Sequence, residues 1–312
     1  VAPIPKPQTG TVAAIYRAYE ATNEHYDSLG ISVGVSAMEC DRSLWYIFRW
    51  CSDPERPDGR KISIFRTGDM WESRLVEDLE AIGCEVTGQQ DRIRLVSGHV
   101  RGKIDGRATG VPEAPAKVHL CEFKSSNDKD FKAIVKQGCK EAKPLHYAQV
   151  QLGMHAFGLT RGLYLVVNKN TDERYSERIE YDAEYCLRLL ARLERIIASN
   201  EPPTRLCSKR DDFRGMFCRQ AAVCWGEVWP RVTCRSCLYS TPEMGGDGHW
   251  SCGRWGKPLS FDEQKEGCPA HLHIPALVPG EQVDCSEEEE WVEYRMPDGT
   301  LWRDGAQADQ TR

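Results

Sequence analysis

The sequence predicts a mixed α/β domain with helices packed on a central sheet, followed by a small cysteine-rich module that needs metal to fold. Two observations carry this. Between residues 31 and 200 the apolar periodicity changes from helical to alternating and back again, and beyond Glu201, Pro202 and Pro203 it gives way to cysteine, tryptophan and glycine. At 312 residues the chain is long enough for about two domains.

The elements follow in order. Residues 1–10 hold three prolines and read as an arm. Val12, Ile15, Tyr16, Tyr19 and Tyr26 recur at helical spacing, predicting a helix over 11–29. A second, aromatic-rich helix spans 42–51. A third runs over 67–82, with Met70, Leu75, Leu79 and Ile82 on its core stripe and Gly83 as its stop. Segments 84–88, 92–100, 102–108 and 117–124 alternate or run apolar between turn signals, predicting an antiparallel meander. Helices over 128–142 and 145–158, strands over 162–167 and 174–181 and a helix over 183–199 complete the domain, whose LYLVV run suits a buried central strand. The expected division is an arm and helix at 1–30, a core at 31–200, a cysteine-rich module at 201–280 and an acidic tail at 281–312. In the tail, Asp298-Gly299 between apolar segments predicts a hairpin.

Composition narrows the function. No run of eighteen apolar residues exists, so no membrane span is expected, and without a charged and then apolar leader the expected compartment is the cytosol. The net charge of −6 means that a nucleic-acid partner would need a local basic surface. One candidate is Lys124–Lys143, where six lysines face Asp128, Asp130 and Glu141; a solvated helix face explains it equally well. Nine of the 14 cysteines lie between 186 and 285, where metal ligation accounts for them better than disulfides do. Cys234-x2-Cys237 is a knuckle spacing, and with Cys252 and Cys268 it offers four zinc ligands, His271 being a substitute for either of the last two.

The chemistry-bearing group is Asp105 in GKIDG with Glu122 and Lys124 in LCEFK. Alternation along a strand puts Glu122 and Lys124 on one face and Phe123 in the core. If the two strands are neighbours, all three polar side chains converge. Two carboxylates with the Phe123 main-chain carbonyl suit Mg²⁺ or Mn²⁺, and an adjacent ammonium suits activation of water.

This arrangement, an aspartate and then a strand ending in Glu-x-Lys, resembles the core of the PD-(D/E)XK nuclease superfamily, in its RecB-like and lambda-exonuclease-like branch. The resemblance covers roughly residues 36–190. Upstream, Gly68 and Glu72 in RTGDMWESRLVEDL match that branch's helix, which implies Glu72 as a further metal ligand. Downstream, Tyr147 and Gln151 in HYAQVQLGMHAFG resemble the helix that supports the active site and the DNA backbone. Ser36, Cys40 and Arg42 resemble the S-x(4)-C-x-R motif, implying substrate contact by Ser36 and Arg42 and an iron–sulfur ligand at Cys40. The remaining three ligands follow C-x2-C-x5-C in that family; Cys218 and Cys224 have the last spacing, but Gly215 stands at the first position and Cys207 would have to enter from a different loop, so no complete cluster is expected.

The resemblance implies a divalent-metal-dependent DNA exonuclease of phage or prophage recombination or replication, acting in the host cytoplasm beside a single-strand annealing or other recombination protein. Two further readings stay open: a catalytically silent DNA-binding scaffold, against which the intact Asp, Glu and Lys set argues, and a CRISPR-adaptation-type nuclease, which an iron–sulfur chromophore would favour.

Overall fold

The computed structural model describes residues 10–23, 28–54 and 56–305. In chain order the first elements are α1 (Thr11–Thr22), β1 (Ile31–Ser32), α2 (Asp41–Phe48), α3 (Gly59–Ala81), β2 (Glu85–Thr87), β3 (Arg92–Leu95), β4 (Val100–Lys103), β5 (Gly106–Thr109) and β6 (His119–Ser126). There follow α4 (Asp128–Ala142), α5 (Pro144–Phe157), β7 (Arg161–Asn168), β8 (Arg174–Glu180) and α6 (Ala183–Ala198). The cysteine-rich part holds α7 (Phe213–Met216), α8 (Ala221–Cys224), β9 (Ser240–Pro242), β10 (Trp250–Cys252), β11 (Lys257–Leu259), α9 (Phe261–Glu266), β12 (Glu281–Ser286), β13 (Trp291–Arg295) and β14 (Leu301–Gly305).

The chain divides into two compact units, each discontinuous in sequence. One gathers the described parts of Val1–Tyr26 and Pro54–Asp91 with Lys103–Tyr181; the other gathers the described parts of Asp27–Asp53 and Asp182–Arg312 with Arg92–Gly102. The domains expected from sequence were continuous.

The first unit is built on a five-stranded sheet of order β2-β5-β6-β7-β8, in which β6 and β7 are parallel and the other pairs antiparallel. β6 and β7 are buried along nearly their whole length, as expected of central strands. Leu75, Val76 and Leu79 of α3 pack with Cys121 and Phe123 of β6 and Leu163 and Leu165 of β7. The opposite face of β6 meets α5: a Cβ on Gly153 would lie 2.7 Å from Leu120 Cδ2, so the helix approaches only because this residue has no side chain.

Three expectations need correction. The helix over 67–82 starts earlier, at Gly59, where the Asp58 side chain accepts from Lys61 N, and Met70 and Ile82 are exposed rather than in the core stripe. Three apolar residues spaced at 75, 76 and 79 already define a buried face, and Met70 falls outside it. The four-strand meander is also not one sheet. β2 and β5 belong to the sheet above, whereas β3 and β4 join β1 in a separate one in the second unit, with β1 parallel to β4. At the branch point Gln90 N donates to Ile104 O and Ile104 N to Asp91 O, so the chain leaves and re-enters through a closed pair of hydrogen bonds. The helix expected over 11–29 ends at Thr22, and its stretch over 24–27 lies outside the described residues, as does most of the arm.

In the second unit the hairpin expected at Asp298-Gly299 joins β13 to β14, with Gly299 at φ 85° and Asp298 Oδ1 accepting from Thr300 N. Two arginines are almost wholly buried there. Arg49 lies between the rings of Trp45 and Trp250, Arg235 lies 3.7 Å from the Trp50 ring centroid, and both donate to backbone carbonyls, Arg235 to Phe48 O and Leu29 O. No helix among the described residues is long and apolar enough to cross a membrane.

Candidate active site

Asp105 follows β4 and immediately precedes β5, the antiparallel neighbour of β6. Its Oδ2 accepts a 2.6 Å hydrogen bond from Phe123 N, which fixes the carboxylate beside the middle of β6, where Glu122 and Lys124 stand. The Lys124 ammonium contacts Glu122 Oε1, lies 4.0 Å from Asp105 Oδ2 and donates to the Phe123 carbonyl at 3.0 Å. Lys124 therefore stands among the three groups that the sequence nominates as cation ligands. Glu72 approaches from α3, held by Gln90 Nε2 at 2.7 Å from its Oε1, and it interacts electrostatically with Asp105 and Lys124.

Burial sets the electrostatics. Glu122 is 2 % exposed, and burial followed by the neighbouring Asp105 pushes its carboxyl up to about 7, Lys124 opposing the rise. Burial also raises Asp105 against the pull of Lys124 and the Phe123 amide, and Glu72 is raised by burial and then by Asp105. For Lys124, burial disfavours the charge, but Glu122 and Asp105 more than restore it and its ammonium is held above the ordinary lysine range. Three carboxyls that resist ionisation around one ammonium make a site starved of positive charge.

The structure adds residues that sequence reasoning passed over. Gln90 is one, since a turn glutamine carries no signal until α3 packs across it. Tyr164 of β7 is the register partner of Glu122, and its hydroxyl lies 2.7 Å from His146 Nδ1. Burial, with Lys124 and Lys143 nearby, pushes His146 down to about 4. Tyr147 and Gln151, nominated from the same helix, are buried: Gln151 Nε2 donates to Glu180 O and the Lys140 ammonium lies 5.1 Å over the Tyr147 ring. Ser36 and Arg42 belong to the second unit. Ser36 is fully buried with its hydroxyl on Val33 O, and Arg42 donates to Tyr46 Oη and Pro203 O.

The cysteines form two groups in the second unit. Cys234, Cys237, Cys252, Cys268 and His271 line one cavity of about 240 Å³. Burial, and then the neighbouring Cys237, Cys268 and Cys252, pushes the Cys234 thiol up to about 12. Cys40, Cys207, Cys218 and Cys224 line another cavity. Cys207 does enter from a different loop, against the expectation of an incomplete group: the 204–212 segment brings it over Gly215, where a Cβ would lie 3.0 Å from its Sγ, beside the position that the local spacing left empty. Among the described residues no group of three or more His, Cys, Asp or Glu is arranged as it stands to hold a metal ion.

No family model and no curated protein matches the chain. Among solved structures, LHK-Exo in complex with dAMP is similar over 59 % of this chain and 90 % of that one, at 15 % identity and a TM-score of 0.42. The alkaline exonuclease LHK-Exo from Laribacter hongkongensis gives 58 %, 91 %, 15 % and 0.43, and SSO0001 gives 70 %, 97 %, 14 % and 0.39. At these values the likenesses say nothing of activity, and the site is read from its own side chains.

Proposed function

We propose that the chain is a divalent-metal-dependent DNA nuclease, an exonuclease of phage or prophage recombination or replication. The convergence of Glu72, Asp105, Glu122 and Lys124 beside the middle of β6 carries this reading. Their raised carboxyls fit a hard cation better than they fit a structural ion pair, because one ammonium leaves most of their charge uncompensated. Asp105, Glu122 and the Phe123 carbonyl would hold Mg²⁺ or Mn²⁺, with Glu72 completing the set. When bound, such an ion stabilises the charge that builds on a phosphodiester under attack.

The chain's own groups do the rest. The Lys124 ammonium, beside these carboxylates, would hold the attacking water and by its charge favour its deprotonation. The water oxygen bonds to phosphorus as the P–O bond to the leaving sugar oxygen breaks; the water's proton passes to solvent and the sugar oxygen takes one from solvent. Neutral His146, oriented by Tyr164, stands on the Lys124 side of the site as a hydrogen-bonding group for a strand.

Both cysteine groups are proposed as structural metal sites. Cys234, Cys237, Cys252 and Cys268, with His271 as the alternative ligand, suit zinc. Cys40, Cys207, Cys218 and Cys224 suit an iron–sulfur cluster, a reading supported by the loop that carries Cys207; a cluster found there would favour the CRISPR-adaptation-type nuclease over the phage exonuclease.

The test is digestion of end-labelled single- and double-stranded DNA with Mg²⁺, Mn²⁺ or EDTA. Stepwise shortening that needs the divalent ion is expected. Intact DNA under all conditions, with metal shown to bind, would leave the chain a DNA-binding scaffold.

A further inference from the structure

A separate cleft of about 500 Å³ opens in the second unit, of the size that takes a small organic ligand. Arg42, Arg205 and Arg295 line it against a single carboxylate, that of Glu281. Glu281 pairs at 3.5 Å with Arg295, and both side chains are well exposed.

The other two arginines are held differently. Arg42 donates from Nε to Tyr46 Oη at 3.0 Å and from Nη1 to Pro203 O at 2.9 Å, and its guanidinium lies over the Tyr46 ring. Arg205 donates from both Nε and Nη2 to Cys224 O and lies 4.7 Å from the Trp225 ring centroid. Among the described residues neither guanidinium meets a carboxylate. Carbonyls and aromatic faces fix their positions without cancelling their charge, which is the arrangement that preorganises anion binding. Leu277, Val278 and Met296 supply an apolar part of the same lining.

A phosphate and a flat, largely apolar ring in one ligand would use both kinds of lining, the anion meeting the guanidinium groups and the ring covering the apolar side chains. We propose that this cleft binds a nucleoside monophosphate unit, phosphate toward Arg42 and Arg205 and base against the apolar side chains. The unit could come from two sources, a free nucleotide or the end of a single DNA strand; the second source rests on the nuclease reading, the first does not.

The experiment is calorimetric titration of the full chain in EDTA with dTMP, thymidine, inorganic phosphate and a short oligothymidylate. We expect dTMP to bind at least about tenfold more tightly than thymidine or phosphate alone, as charge-assisted and apolar contacts add. Arg205→Ala, and Ala276→Trp placed on the exposed rim to fill the cleft, should each weaken dTMP about tenfold. Glu122→Gln should not change it. Because Ala276→Trp leaves every hydrogen bond of the arginines in place, it keeps the test valid if Arg205→Ala unfolds. An oligonucleotide that binds more tightly than dTMP assigns the strand end, and equal affinity assigns the free nucleotide. Indifference of dTMP binding to Ala276→Trp, parity with phosphate or thymidine, or loss in Glu122→Gln would overturn the proposal. DNA hydrolysis is scored separately, so failure here and failure of the nuclease reading give different results.

Discussion

The Lys124 ammonium rests against the buried carboxylate of Glu122 and also takes the Phe123 carbonyl, the very oxygen atoms a divalent ion would require. A divalent ion held by these oxygens would compete with the ammonium for them, and Lys124 would then be left to serve a water molecule.

Lys124→Ala is expected to cut DNA hydrolysis about 100- to 1000-fold while leaving Mn²⁺ affinity equal to the parent's or higher. Asp105→Ala and Glu122→Ala should cause similar losses of activity and weaken Mn²⁺ as well. Titration calorimetry alongside the cleavage assay separates the two effects. Weaker Mn²⁺ binding in Lys124→Ala would show that the lysine supports the ion rather than competing with it.

Glu122 also predicts how stability depends on pH without metal. Its folded carboxyl, at about 7, holds the proton more tightly than the 4.5 of the ordinary group, so between those values the folded state binds more protons than the unfolded. Stability must then fall as pH rises through that window. Urea unfolding in EDTA at about pH 5 and about pH 8 should show a drop in the parent that is reduced in Glu122→Gln. Equal drops in both proteins would remove Glu122 as the cause.

Glu72 is bound less tightly into the group, through Gln90. Glu72→Ala should lower hydrolysis by about tenfold, well short of the loss in Asp105→Ala, and Gln90→Ala should move in the same direction with a smaller effect, because water can replace the amide. A Gln90→Ala protein more impaired than Glu72→Ala would mean that the amide meets the substrate itself.

For the cysteines, elemental analysis of protein purified without oxygen should find about one zinc and about four irons per chain, with a brown chromophore. Cys207→Ser should remove iron and colour but keep zinc, and Cys237→Ser should do the reverse. The second change should also unsettle more than the module: Arg235, between the knuckle cysteines, donates to Phe48 O and Leu29 O, so α2 loses its support as the knuckle loosens. Proteolysis confined to residues beyond 230 in Cys237→Ser would contradict that coupling.

Much of the central group was legible in the sequence because its geometry is local. Period two along β6 puts Glu122 and Lys124 on one face, and the short path from Asp105 through a turn returns the chain as a neighbouring strand. That Cys234 and Cys237 face one cavity was legible for a similar reason, since they are only three positions apart, whereas Cys252, Cys268 and His271 reach it through the fold. What the sequence did not contain were relationships made by packing between distant segments. Gln90 reaches Glu72 only because α3 crosses that turn, and Tyr164 meets Glu122 only through the parallel register of β6 and β7. Cys207 meets Cys218 and Cys224 only because its loop folds back over Gly215. Helical spacing placed Tyr147 and Gln151 on one face, but the surrounding sheet decided that this face is buried and left His146 beside Lys124. Periodicity states which side chains point together; which of those directions is interior and which is site depends on what packs against them.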